Sequence, residues 1–183
     1  QSMIHDSDAI FIHPYDDLDV IAGQGTIARE IIEQLADIDY MFIPVGGGGL
    51  LAGMCVYLKH VKPDIKIIAV EPENSACLYE ALQAKDRVVL DHVGIFADGV
   101  AVKQIGRYPF ELVRDCVDDT VLLTTDEICA GVKDIYDNVR AIAEPAGALS
   151  LAGIKKYLHT HDIKNKVFAS ILCGANINFH RLR

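Results

Sequence analysis

The chain has no tryptophan, no Cys-x-x-Cys pair and no apolar stretch approaching the roughly 20 residues that cross a bilayer. A membrane-spanning role is therefore not expected. The five cysteines, Cys55, Cys77, Cys116, Cys129 and Cys173, are odd in number and widely spaced. That pattern argues against a zinc site or a disulfide framework and for a reducing, cytoplasmic setting. Positive charge is also scarce. Seventeen Lys and Arg face 26 Asp and Glu, a formal net charge of −9. With no basic stripe to release counterions, nucleic acid is not an expected partner. Gln1-Ser2-Met3 shows neither a charged n-region nor a long apolar segment, so no secretory signal is read there. The lack of Met at position 1 suggests a piece of something longer. What remains is 183 residues, 51% hydrophobic, enough for one domain with a sizeable core.

The most informative feature present is a run of four glycines. Tyr40-Met41-Phe42-Ile43-Pro44-Val45 reads as a buried strand, and Leu50-Leu51-Ala52-Gly53 opens a helix behind Gly46-Gly47-Gly48-Gly49. Glycine tolerates positive φ and has no Cβ, so backbone N–H groups can converge on one small acceptor. The helix adds free N–H groups and its positive dipole end. This is the construction of a phosphate cradle; the plainer alternative is a turn that lets helix and sheet pack closely. No Lys-Ser or Lys-Thr follows, which disfavours a Walker-type site. The third glycine of a dinucleotide fingerprint is missing at Leu51, although Glu71 ends the next apolar run.

Strand and helix patterns alternate. A helical stripe covers Thr26–Leu35, and strands are read at Tyr40–Val45, Lys66–Glu71, Thr120–Leu123 and Val167–Leu172. Ala9–His13 is a short apolar run stopped by Pro14. Helices are read from the glycine loop to about Val61, at Cys77–Ala84, at Pro109–Cys116, from the Thr124–Glu127 capping box towards Arg140, and from Glu144-Pro145 to about Leu158. Arg87–Gly106 is irregular with a turn at Asp98-Gly99. Continuous apolar strands alternating with helices predict an α/β fold: a three-layer, mostly parallel sheet with helices on both faces. Ligands bind such sheets at the C-terminal strand ends, here marked by Gly46–Gly49, Glu71 and Cys173-Gly174.

These residues form a recognisable series: V-G-G-G-G-L at Val45–Leu50, A-V-E-P-E-N-S-A-C at Ala69–Cys77, A-D-G-V-A-V at Ala97–Val102, A-E-P-A-G-A at Ala143–Ala148 and C-G-A-N-I-N at Cys173–Asn178. The series resembles the serine/threonine dehydratases, pyridoxal-phosphate enzymes of fold type II. H-P-Y-D-D-L-D-V-I-A-G-Q-G-T at His13–Thr26 and N-I-N-F-H-R-L-R at Asn176–Arg183 resemble its biosynthetic threonine dehydratase branch. The match covers essentially the whole chain. The family's Ser-Phe-Lys-x-Arg-Gly-Ala segment, with the lysine that bonds the cofactor, has no counterpart in these 183 residues. None of the ten lysines has that context, and all are read as solvated. The Ser-x-Gly-Asn-His substrate loop and a regulatory domain are lacking too. The resemblance therefore implies one partial domain over 1–183, the cofactor-binding part of the catalytic domain. No catalytic residue is assigned within it, and alone it is expected to be inactive.

By this resemblance Gly46, Gly47, Gly48, Gly49 and Leu50 hold the phosphate of pyridoxal 5'-phosphate, and Cys173 faces the pyridine nitrogen. A thiol is a weak donor that cannot keep that nitrogen protonated, which suits β-elimination; a packed cysteine is the plain alternative. Glu144 either lines the active site or favours a helix dipole. Gly99 and Asp98 border the substrate side or merely make a turn. Glu71 and Ser75 match a divalent-cation site of some relatives, but Cys77 replaces a carboxylate and a thiol is a poor ligand for Mg²⁺ or Ca²⁺; no metal site is expected. The histidines, His159 and His161 included, are read as surface or packing residues. The implied parent converts L-threonine to 2-oxobutanoate and ammonia, the first step of isoleucine synthesis. Its implied partners are the amino-acid substrate, the missing N-terminal half and, when intact, its own copies in a tetramer. A catabolic serine/threonine dehydratase, a serine racemase and a non-catalytic phosphate-ligand module remain alternatives. A face left open without the smaller subdomain would favour self-association.

Overall fold

The computed structural model describes residues 10–177. Ala9, Asn178 and the remainder of the Asn176–Arg183 motif lie outside the described residues. Twelve elements follow in order: α1 (Leu18–Gln34), β1 (Tyr40–Pro44), α2 (Gly49–Val61), β2 (Lys66–Pro72), a 3-10 turn (Glu73–Ser75), α3 (Cys77–Ala84), a second 3-10 turn (Asp98–Val100), α4 (Arg107–Val113), β3 (Asp119–Leu123), α5 (Thr125–Val139), α6 (Pro145–Thr160) and β4 (Phe168–Ser170). The strands form one sheet in the order β3-β2-β1-β4. All three pairings are parallel, with Phe42 opposite Ile68 and Ser170, and Val70 opposite Val121. Every strand's C-terminal end therefore points to the same edge.

Successive strand residues face opposite layers, as the pleat requires. Met41, Ile43, Ile67 and Ala69 enter one core with α1, α2 and α3 residues Ile21, Leu51, Met54 and Leu78. Phe42, Ile68, Val70 and Val121 enter the other with Leu149, Ala152 and Tyr157 of α6. β1 is apolar along its length because both faces are covered, each large side chain contributing roughly 1.5–3 kcal/mol. This is the expected three-layer α/β arrangement. Among the described residues no helix is long and apolar enough to cross a membrane.

Three boundaries differ from the sequence expectation. α1 starts at Leu18, well before Thr26, because Asp17 Oδ1 accepts the Asp19 and Val20 N–H groups at 2.9 and 3.1 Å. α4 starts at Arg107, ahead of Pro109, because the Asp16 carboxylate accepts the Arg107 and Tyr108 N–H groups at 2.9 and 2.8 Å. β4 spans only three residues, the ones that pair with Tyr40, Met41 and Phe42 of β1. Residues 10–13 form no strand, and Ile10, Phe11 and Ile12 are exposed. The Thr124 capping box is formed in full: Thr124 Oγ1 accepts the Glu127 N–H and Glu127 accepts the Thr124 N–H at 2.8 Å.

Candidate functional site

The chain leaves β1 through Val45, whose N–H still donates to the Val70 carbonyl at 2.9 Å, and then enters the glycine loop. Gly48 is the residue before α2 and has φ +91, a left-handed conformation that favours glycine. Its neighbours are glycine for a different reason from ligand approach. A Cβ on Gly46 would stand 2.9 Å from the Val100 Cα, one on Gly47 would clash with the Tyr15 ring at 2.2 Å from its Cγ, and one on Gly49 would press on the Tyr15 Cα at 3.0 Å. The missing side chains are thus displaced by protein. The amides are what is left for a ligand. Among the described residues, the N–H groups of Gly47, Gly48, Gly49 and Leu50 meet no acceptor. Four donors at the N-terminus of a 13-residue helix, with no side-chain cap, suit a compact anion such as a phosphate group.

Two further strand-end segments close on this loop. Glu144 precedes α6, yet its carboxylate does not cap that helix. Its N–H donates to the Gly174 carbonyl at 3.0 Å and its Oε2 accepts the Asn176 N–H at 3.0 Å. The segment after β4 is thereby tied to the start of α6. Gly174, at φ +80, lies directly against the Glu144 carboxylate, and Gly147 lies directly against the Cys173 carbonyl. Cys173 is solvent-accessible. Partial burial of the thiol, helped by the nearby Glu144 charge, still pushes its pKa above the ordinary value, so the neutral S–H prevails. Gly99 admits the 98–100 turn beside α6: a Cβ there would meet Ala146 Cβ at 2.9 Å and Glu144 Oε1 at 3.1 Å.

Gly46, Gly47, Gly48, Gly49, Leu50, Gly99, Glu144 and Cys173 all line one cavity of about 410 Å³, with Tyr15 and Val100 among the other walls. Asp98 opens the 3-10 turn but does not line it. Two larger hollows, of about 500 and 520 Å³, lie against α1 and α2 and against α5 and α6. The smaller cavity is the one in which the glycine-loop amides, Cys173 and Glu144 come together, so it is the chemically equipped one.

Glu71 is not brought into this cavity. It is fully buried near the end of β2, with Oε1 accepting the Leu78 N–H at 2.9 Å and Oε2 the Tyr79 N–H at 2.8 Å. It caps α3. Burial outweighs those hydrogen bonds and lifts its pKa to about 7. Among the described residues no group of three or more His, Cys, Asp or Glu side chains is placed to hold a metal ion. Tyr15 is a wall that sequence reasoning missed. It is held by a bracket in which His13 Nδ1 accepts the Asp16 N–H at 3.0 Å, while Asp16 and Asp17 cap α4 and α1. The tandem Asp16-Asp17 ahead of Leu18 was the available signal, since adjacent aspartates are strong capping residues.

Comparison with known proteins agrees with this geometry. The profile of the family described as "Pyridoxal-phosphate dependent enzyme" matches residues 1–174. The biosynthetic L-threonine dehydratase IlvA of Pasteurella multocida is 57% identical over 173 residues, covering 94% of this chain and 34% of that protein. Its Escherichia coli namesake is 53% identical over the same coverage. The chain thus spans about a third of the length of these relatives. Among solved structures, the processed form of threonine deaminase isoform 2 from Solanum lycopersicum superimposes with a TM-score of 0.95 at 44% identity, covering 99% of this chain and 53% of that one. Serine racemase from Dictyostelium discoideum gives 0.84 at 35% identity, covering 97% and 57%. With its parallel three-layer sheet, its amide-lined cavity and these matches, the chain belongs to the pyridoxal-phosphate dependent enzymes of fold type II.

Proposed function

We propose that this chain is the cofactor-binding part of the catalytic domain of a threonine dehydratase, a lyase that converts L-threonine to 2-oxobutanoate and ammonia. The observation that carries the reading is the convergence of the four amides of the glycine loop, Cys173, Gly99 and Glu144 on one cavity at the C-terminal edge of the sheet. The amides of Gly47, Gly48, Gly49 and Leu50, with Gly46 shaping the turn, would hold the phosphate of pyridoxal 5'-phosphate. When bound, that cofactor supplies an electron sink that acidifies the α-proton of the amino acid.

The chain's own residues tune that chemistry. The neutral Cys173 thiol offers the ring nitrogen a weak donor and no charge, which favours prompt loss of a β-substituent. Glu144, fixed by the Asn176 N–H, and Gly99 beside it bound the substrate side. In this reading the lysine that removes the α-proton belongs to a preceding Ser-Phe-Lys-type segment, and the intact protein is a tetramer with a regulatory domain. A cytoplasmic location accords with five free cysteines. The test uses the full-length protein loaded with cofactor. Steady release of 2-oxobutanoate from L-threonine, inhibited by isoleucine, is expected. Serine racemisation without 2-oxobutanoate, or activation by AMP, would overturn the biosynthetic assignment.

A further inference from the structure

Glu71 is fully buried, yet it touches no part of the cavity. Its two oxygens accept the Leu78 and Tyr79 N–H groups, the second and third amides of α3, which Ala76 has no side-chain oxygen to cap. α3 begins at Cys77, itself fully buried, and the Cys77 thiol donates to the Gly46 carbonyl at 3.3 Å. From the same segment, Ser75 Oγ donates to the Val100 carbonyl at 3.1 Å. Val100 itself packs against Gly46. We propose that Glu71 is a positioning residue for the phosphate-binding loop, acting through Cys77 on Gly46 and through Ser75 on Val100.

The physical need is plain. Four consecutive glycines have almost no intrinsic preference for one backbone conformation, so their amides converge only if the loop is held from outside. One carboxylate fixes the start of α3; Cys77 then holds the Gly46 carbonyl, and Ser75 holds Val100, which packs against Gly46. Burial, with the Glu71 carboxylate beside it, pushes the Cys77 thiol up to about 12, so the thiol keeps its proton; Glu71 lies within hydrogen-bonding reach of the same S–H, and the Gly46 carbonyl accepts it at 3.3 Å. The other charged group acting on Glu71 is Glu80, one turn into α3.

The proposal rests on the reading that these amides hold the cofactor phosphate, and the experiment separates the two. Dissociation constants of pyridoxal 5'-phosphate and of pyridoxal, which lacks the phosphate, are measured by fluorescence titration of the full-length apoprotein. Glu71→Gln turns one acceptor into a donor facing an N–H. Cys77→Ala removes the link to Gly46, and Cys77→Ser keeps a donor. Glu71→Gln and Cys77→Ala are expected to weaken pyridoxal 5'-phosphate binding by about threefold to tenfold, the worth of one hydrogen bond. Pyridoxal binding stays unchanged, and Cys77→Ser stays near wild type. Equal losses for both ligands, or no loss, would overturn the positioning role. If Glu71→Gln shows no cooperative melt, the Cys77→Ala and Cys77→Ser pair decides by the same criteria. A wild-type protein that binds both ligands equally and is insensitive to inorganic phosphate would instead overturn the phosphate reading, and the proposal with it.

Discussion

Glu71 should make this fold lose stability as pH rises through neutrality, the opposite of the usual carboxylate. Its pKa is about 7 in the folded protein, against 4.5 for an ordinary glutamate, because burial disfavours the charge more than two N–H groups favour it. Between pH 4.5 and 7 the unfolded chain has released this proton while the folded chain keeps it. The unfolded state then binds fewer protons, so unfolding free energy falls with increasing pH. The contribution is fully present below about pH 4.5 and lost above about 7. At 1.36 kcal/mol per pH unit, a gap of about 2.5 units amounts to about 3 kcal/mol. For a chain of this size that corresponds to about 6–12 °C in melting temperature. On the acid side Asp118 and Glu127 act conventionally. Burial alone would raise their pKa values. The hydrogen bonds from Lys59, the Ile67 N–H and Lys66, and from Lys156 and Thr124, outweigh it and lower them. They therefore withdraw stability below their ordinary range, and a stability maximum near pH 5 is expected. The assay is a thermal melt at fixed ionic strength from pH 5 to 8, for wild type and Glu71→Gln. Because other groups titrate identically in both, the difference isolates this carboxylate. Wild-type stability should fall relative to the variant as pH rises from 5 to about 7 and level off above that, and a difference constant across the whole range would refute the reasoning.

Gly147→Ala would drive a methyl group into the Cys173 carbonyl, a backbone atom that cannot rotate aside. It should cost at least about 2 kcal/mol by overpacking and displace Cys173 from the cavity, read as a lower melting temperature together with weaker cofactor binding. Thr124→Ala removes the formed capping box of α5 and should cost about 1 kcal/mol in urea unfolding without altering cofactor affinity. Cys173→Asp would hold the ring nitrogen protonated and should slow loss of the β-hydroxyl relative to α-proton exchange, measured by deuterium wash-in against 2-oxobutanoate release. The 183 residues expressed alone should yield no 2-oxobutanoate, and borohydride reduction with cofactor should label no single lysine.

What was legible in the sequence was local, and what was not was held across long sequence separations. β1 and β2 were readable because both faces are covered, so their apolar runs are unbroken. α3 was readable at both ends, and the Thr124 box announced α5, because each depends on residues a few positions apart. The start of α4 was not. Its first amides are capped by Asp16, some ninety residues earlier, and no window around Pro109 contains that fact. α1 was hidden for a related reason. Its first two turns carry Gly23 and Gly25, poor helix formers, yet Gly25 is required where α1 crosses Gly53 of α2 at close range.

The site divides in the same way. The glycine run, Gly99, Glu144 and Cys173 came from the chain's motifs, and the fold gathers them in one cavity. The glycine run admits two readings in sequence, amides converging on an anion or close packing; the close packing is visible in Tyr15 and Val100, which occupy the space a Cβ would need, while the amides stay free. The role of Glu71 is open in sequence, because a glutamate ending a strand at this edge can serve a ligand or the fold; the chain returns through α3 so that both its oxygens accept backbone amides. A run of four glycines carries almost no conformational instruction of its own. Its instruction has to be stored in neighbouring segments, and here those are Tyr15, Val100 and the α3 segment capped by Glu71.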